Sequence, residues 1–131
     1  MTSCLQHISA ISLFVEDLRA AKAFYTDVFG AALLFEDEAS VAFKFDNVIV
    51  NLLRVEDAHE LIAPGAVAAR DVGARFQLSI WVPDVDAVCT RLRERGVVLH
   101  GPIDRPWGMR TANFVDPAGH GWEVGQRMVQ S

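Results

Sequence analysis

The stretch Ile11-Ser12-Leu13-Phe14-Val15-Glu16-Asp17-Leu18 aligns without a gap on Leu78-Ser79-Ile80-Trp81-Val82-Pro83-Asp84-Val85, 67 residues further along. An internal repeat constrains a fold more than any local propensity, because each copy must build the same unit and bury its apolar face against something. Each copy reads as an apolar strand ending in an Asp, and a helical pattern follows each Asp. In the first, Asp17 is a fitting N-cap, Leu18, Ala21, Tyr25 and Val28 fall on one face, and Gly30 supplies a left-handed stop. In the second, Asp84 or Asp86 caps, Val85, Val88, Cys89 and Leu92 form the stripe, and Gly96 ends it.

Three short strands are expected after each helix: 32–35, 40–45 and 48–54 in the first half, then 97–100, 111–115 and 121–126 in the second. Asp46-Asn47 and Asp116-Pro117-Ala118-Gly119 are the turn signals between them. Each half is therefore βαβββ, with modules at 5–55 and 75–127 inside one domain of residues 1–131. Residues 56–74 lack a clear period and read as a linker, with one helical turn at 57–61. A four-stranded sheet of this length cannot cover both faces alone, so two modules are expected to pack into one unit, within a chain or by exchange between chains.

Composition excludes several classes of function. A chain of 131 residues with 51% apolar residues buries roughly 68% of its surface on folding, so it needs neither disulfide nor zinc to form a core. Twelve Lys and Arg against seventeen Asp and Glu leave no basic surplus for phosphates, which argues against nucleic acid. The basic cluster Arg91-Leu92-Arg93-Glu94-Arg95 fits the last turn of a helix. Cys4 and Cys89 lack the spacing of a zinc or redox pair and read as reduced thiols. No apolar run approaches the roughly 18 residues of a membrane span, and the start Met1-Thr2-Ser3-Cys4-Leu5-Gln6-His7 lacks the basic residues of a signal peptide, so the expected location is cytoplasmic.

Residues 11–30, with Val15-x-Asp17-Leu18, Lys22-x-Phe24-Tyr25 and Phe29-Gly30, carry one set of signals. Residues 107–123, with Trp107-Gly108-Met109-Arg110-Thr111 and Asp116-Pro117-x-Gly119-His120-x-Trp122-Glu123, carry another. Together they resemble the vicinal oxygen chelate superfamily of glyoxalases, bleomycin resistance proteins and extradiol dioxygenases. The resemblance implies an α+β fold of two tandem βαβββ modules around a cupped mixed sheet, and a homodimer. It leaves the function open among isomerases, dioxygenases, thiol transferases and metal-free drug binders.

Enzymes of that group place metal ligands early in the first strand and on the last strand of each half. The resemblance puts those positions on Ala10, Asn51, Gln77 and Glu123. Alanine cannot bind a metal and the two amides are weak neutral ligands, so Gln77 and Glu123 are only weak metal candidates and no cofactor is favoured. A poor oxygen-rich site for Mg or Mn remains the alternative.

Strand alternation puts Ser12 and Phe14 with Ala10 and sends His7 to the opposite face, where it reads as a strand-entry or interface histidine. The expected concave face carries Ser12, Phe14, Asn51, Gln77, Trp81 and Glu123, a polar floor with aromatic walls suited to a small organic ligand. Glu123 is a candidate general acid or base, or else a carboxylate paired with Arg110. Trp107 and Arg110, around a Gly/Pro loop, are expected ligand contacts; the structural alternative has Trp107 plugging the sheet end and Arg110 pairing with Asp116. His120 reads as an exposed turn residue, and His59 and His100 have no nucleophile beside them, so a hydrolase triad has no support.

The functional expectation is a protein that binds a small hydrophobic or aromatic molecule without a strong metal site, as bleomycin resistance proteins sequester a drug. Its acidic balance suits a basic or neutral ligand. The alternatives are a metal-dependent lyase, isomerase or dioxygenase, and a metal-free enzyme with Glu123 as base.

Overall fold

A computed structural model describes residues 4–128, and the chain divides into two compact units, Met1–Ala69 and Arg70–Ser131. The first contains β1 (Ala10–Val15), α1 (Leu18–Asp27), β2 (Ala32–Glu36), β3 (Ser40–Lys44), β4 (Ile49–Arg54) and α2 (Val55–Ala58). The second contains β5 (Leu78–Trp81), α3 (Val85–Glu94), β6 (His100–Asp104), β7 (Met109–Val115) and β8 (Gly121–Arg127). Each builds a four-stranded mixed sheet, in the orders β1-β4-β3-β2 and β5-β8-β7-β6, with the first and last strands parallel and the rest antiparallel. This is the α+β fold of repeated βαβββ modules.

The repeat is physical as well as textual. Asp17 caps α1 by accepting from the Ala20 N–H at 3.0 Å, and Asp84 caps α3 by accepting from the Ala87 N–H at 3.1 Å. The same residue type at the same offset therefore turns the chain from strand to helix in both units. In the second unit the Gln126 side-chain oxygen also accepts from the Val85 N–H at 2.9 Å, which ties the start of α3 to β8.

Alternation along the strands decides which face each helix covers. In the first unit Leu13, Val15, Val41, Phe43, Val50 and Leu52 are buried with Ala21 and Tyr25 of α1. The Tyr25 ring stacks on Phe29 at 5.0 Å between centroids and on Phe43 at 6.1 Å. In the second, Ala112, Phe114, Trp122 and Val124 are buried with Val85, Cys89 and Leu92 of α3. Burial pushes the Cys89 thiol above its ordinary range, in keeping with an inert core thiol.

Several boundaries differ from the sequence reading, that of β6 most. The strand expected at 97–100 runs instead over His100–Asp104, because the end of α3 claims Val97. With Gly96 at a φ of +83°, the Val97 N–H reaches the Leu92 carbonyl at 3.0 Å and the Gly96 N–H reaches Arg93, a Schellman closure that buries Val97. The helical turn expected at 57–61 is α2, which begins directly off β4 and buries Ala58.

Candidate ligand-binding site

One end of the second sheet gathers the site. Because β5 and β8 run parallel and β7 antiparallel to β8, the ends of β5 and β8 meet the start of β7 there. Trp81, Val82, Pro83, Trp107, Met109 and Arg127 line a hollow of about 530 Å³ at this end. Trp81 closes β5 and Val82 and Pro83 lead into α3; Met109 opens β7 and Arg127 closes β8.

Trp107 is presented by a tight turn. The Gly108 N–H reaches the Arg105 carbonyl at 3.1 Å, which puts Pro106 and Trp107 at the centre of a four-residue turn with Gly108 at a φ of +85°. The Arg105 N–H bonds the Met109 carbonyl at 2.7 Å, Arg105 Nε donates to Thr111 Oγ1 at 2.9 Å, and the Met128 N–H bonds the Gly108 carbonyl at 2.8 Å. The loop is thus anchored on both sides while its indole stays 67% exposed. Trp81, 65% exposed, lies over Gly125: a Cβ built there would stand 2.9 Å from Cζ3 of Trp81 and 3.2 Å from Cε of Met109. Glycine at this position lets the indole lie close against β8.

Further along the same face stands a polar group. Ser79 Oγ donates to Glu123 Oε1 at 2.7 Å, and Asn113, the register partner of Glu123 on β7, holds a buried Oδ1 with no hydrogen-bond partner among the described residues. The first unit has the related pair, with Asn51 Nδ2 donating to Ser12 Oγ at 3.5 Å. There Ser12 and Phe14 occupy the strand face away from buried Leu13 and Val15. Gln77 is exposed immediately before β5.

Arg110 lies elsewhere. It alternates with Met109 and Thr111 and so shares its face with Ala112 and Phe114, the face α3 covers. Its guanidinium bonds Asp86 of α3 at 3.0 and 3.1 Å and Asp104 of β6 at 2.9 Å. Arg110 therefore braces the helix, and its carboxylate partners are Asp86 and Asp104 rather than Glu123 or Asp116. The hydrogen bond and charge of Arg110 hold the Asp86 carboxyl below its ordinary 3.8, so the stabilisation that Asp86 gives is present above that value and lost as pH falls through the lowered one. In Arg110→Ala the Asp86 carboxyl resonance should titrate closer to 3.8, as a ¹³C NMR titration would read; an unchanged titration would contradict the brace.

His120 is also better held than an exposed turn residue. Its Nδ1 lies 2.9 Å from Oδ2 of the buried Asp116, whose Oδ1 accepts from the Ala118 and His120 N–H groups at 3.0 and 2.8 Å. Asp116 thus locks the β7–β8 turn and orients the ring. His7 and His59 are exposed, and His100 is the exposed first residue of β6.

The chain matches the family model of the Glyoxalase/Bleomycin resistance protein/Dioxygenase superfamily over residues 5–124. It belongs to that superfamily. Solved structures agree: a glyoxalase/bleomycin resistance protein/dioxygenase from Nocardioides is 26% identical with a TM-score of 0.87, covering 99% of this chain and 89% of that one. A lactoylglutathione lyase from Agrobacterium tumefaciens is 26% identical with a TM-score of 0.76, covering 92% of this chain and 93% of its own. TnmS3, an antibiotic binding protein from Streptomyces sp. CB03234, is 28% identical with a TM-score of 0.73, covering 96% and 99%. Among curated proteins none matches. The superfamily thus spans an enzyme and a binding protein, and the residues of this member must discriminate between them.

The donor chemistry of this member fits a superfamily metal poorly. Ala10, Asn51, Gln77 and Glu123 offer one carboxylate and two neutral amides, and one oxygen of that carboxylate accepts from Ser79. No group of three or more His, Cys, Asp or Glu side chains suited to a metal occurs among the described residues. Nor is any helix among them long and apolar enough to cross a membrane.

Proposed function

We propose that this superfamily member binds a small planar, aromatic molecule in the hollow between Trp81 and Trp107, as a homodimer and without a catalytic metal. The observation that carries the reading is the pair of exposed indoles at one hollow. Large aromatic side chains are normally well buried, and two left open around about 530 Å³ of mostly apolar space form a stacking slot of ligand size. That TnmS3 is an antibiotic binding protein supports a binding role for this member.

Native mass spectrometry of freshly purified protein, before and after dialysis with Mn, Fe, Ni and Zn, tests this reading. The expected spectrum shows a dimer of the 14.4 kDa chain, free of stoichiometric metal and able to retain an organic ligand. One tightly held metal per chain would overturn it in favour of a metal-dependent lyase, isomerase or dioxygenase.

A second reading has Glu123 as a metal-free general base, supported by its short bond to Ser79 and the unpaired Asn113 oxygen beside it. On that reading Glu123→Gln abolishes turnover of a carbon acid while ligand binding persists. Equal turnover in the variant would eliminate it.

A further inference from the structure

The slot carries one charge. Five of its six lining residues are Trp, Val, Pro, Trp and Met, and the sixth is Arg127. Arg127 ends β8 on the face it shares with Glu123 and Gly125, and its register partner on β7 is the apolar Met109. Glu123 is four residues back along the strand, roughly 13 Å by strand rise, and no ion pair joins it to Arg127 among the described residues. Gly125, between them on that face, has no side chain.

Three other cations pair with carboxylates. Lys22 pairs with Glu36, Arg54 with Asp57, and Arg110 with both Asp86 and Asp104, while none of these ion pairs among the described residues involves Arg127. In a chain with more acids than bases, a guanidinium left without such a carboxylate at the rim of an aromatic slot is a local reversal of the overall charge. A guanidinium presents a planar fork of donors that matches a carboxylate or sulfonate, and partial exclusion of water by the two indoles strengthens that contact.

Building on the binding reading, we propose that the ligand of this slot is an aromatic anion. Its ring lies against Trp81 and Trp107, and its carboxylate or sulfonate meets Arg127. The overall acidity of the chain, which suits a basic or neutral ligand, does not govern the slot; the nearest charge does.

Isothermal titration of the full chain at low salt with 2-naphthoate and 2-naphthamide separates ring from charge, since the two share the ring and differ in the anionic group. Naphthoate should bind about tenfold or more tighter than naphthamide. Arg127→Gln should bring the two within about twofold by weakening naphthoate alone. Arg127 is exposed, so that variant should keep the wild-type unfolding midpoint. Added salt should weaken naphthoate and leave naphthamide unchanged. Equal affinities in the wild type, both lost in Trp81→Ala, would overturn the anion assignment and leave the aromatic slot standing. A naphthoate preference that survives Arg127→Gln would remove Arg127 from the role. Failure of both compounds to bind at millimolar concentration would overturn the slot and the anion together.

Discussion

Trp81→Ala is expected to weaken binding of a naphthalene-sized ring by about 30-fold or more while barely moving the unfolding midpoint. A stacked ring covers enough of the indole face to contribute about 2 kcal/mol by area and stacking together, and each 1.4 kcal/mol is a tenfold change in affinity. Its effect on stability is small because Trp81 is mostly exposed in the unliganded chain. Gly125→Ala is the indirect version of the same experiment. The indole itself is untouched, but a methyl 2.9 Å from its ring must lift it from β8, so affinity should fall by about threefold to tenfold with little loss of stability. Titration calorimetry alongside thermal unfolding checks both. Unchanged affinity in Trp81→Ala would show that the ring lies elsewhere.

Phe43→Ala should show the opposite pattern, a loss of about 3–5 kcal/mol in urea unfolding. Phe43 is wholly buried on β3, flanked by β4 and β2, with its ring stacked on Tyr25 beneath α1. Truncation leaves a cavity that strands hydrogen-bonded on both sides cannot close, and the loss is a large share of the roughly 5–15 kcal/mol typical of a domain. Phe35→Ala is the control. It removes the same ring from the edge strand β2, where Phe35 is 53% exposed, and should cost about 1 kcal/mol or less. Equal losses at the two positions would mean that the core of the first unit is not where Tyr25 and Phe43 place it.

Much of this fold is legible because its signals are local. Asp17 and Asp84 sit where a helix needs an acceptor, and the buried residues of the two helices, Ala21, Tyr25, Val85, Cys89 and Leu92, all come from the apolar stripes behind them. Strand alternation puts Trp81 and Glu123 on the face opposite buried Trp122 and Val124. The same rule applied to β7 places Arg110 with Ala112 and Phe114 under α3, but that rule applies to Arg110 only once β7 is known to begin at Met109 rather than Thr111.

Arg127 and Met109 were missed for a related reason. Each lies just outside the strand expected for it, and only a longer β7 and β8 bring them to the slot. The shift of β6 has a different origin. Val97 looks like a strand residue, but a helix C-cap and a strand compete for it, and the Schellman bonds to Leu92 and Arg93 decide in favour of the cap. The Asp116–His120 lock depends on a carboxylate buried by packing, which spacing alone does not reveal.

The indole N–H resonances report on an aromatic slot bounded by two of the three tryptophans without perturbing it. Trp81 and Trp107 border the hollow, whereas Trp122 is 4% exposed on the face covered by α3 and acts as an internal control. In a ¹H–¹⁵N spectrum titrated with 2-naphthoate, the Trp81 and Trp107 indole signals should shift together and saturably while that of Trp122 stays in place. Saturable binding that leaves Trp81 and Trp107 unmoved would contradict it.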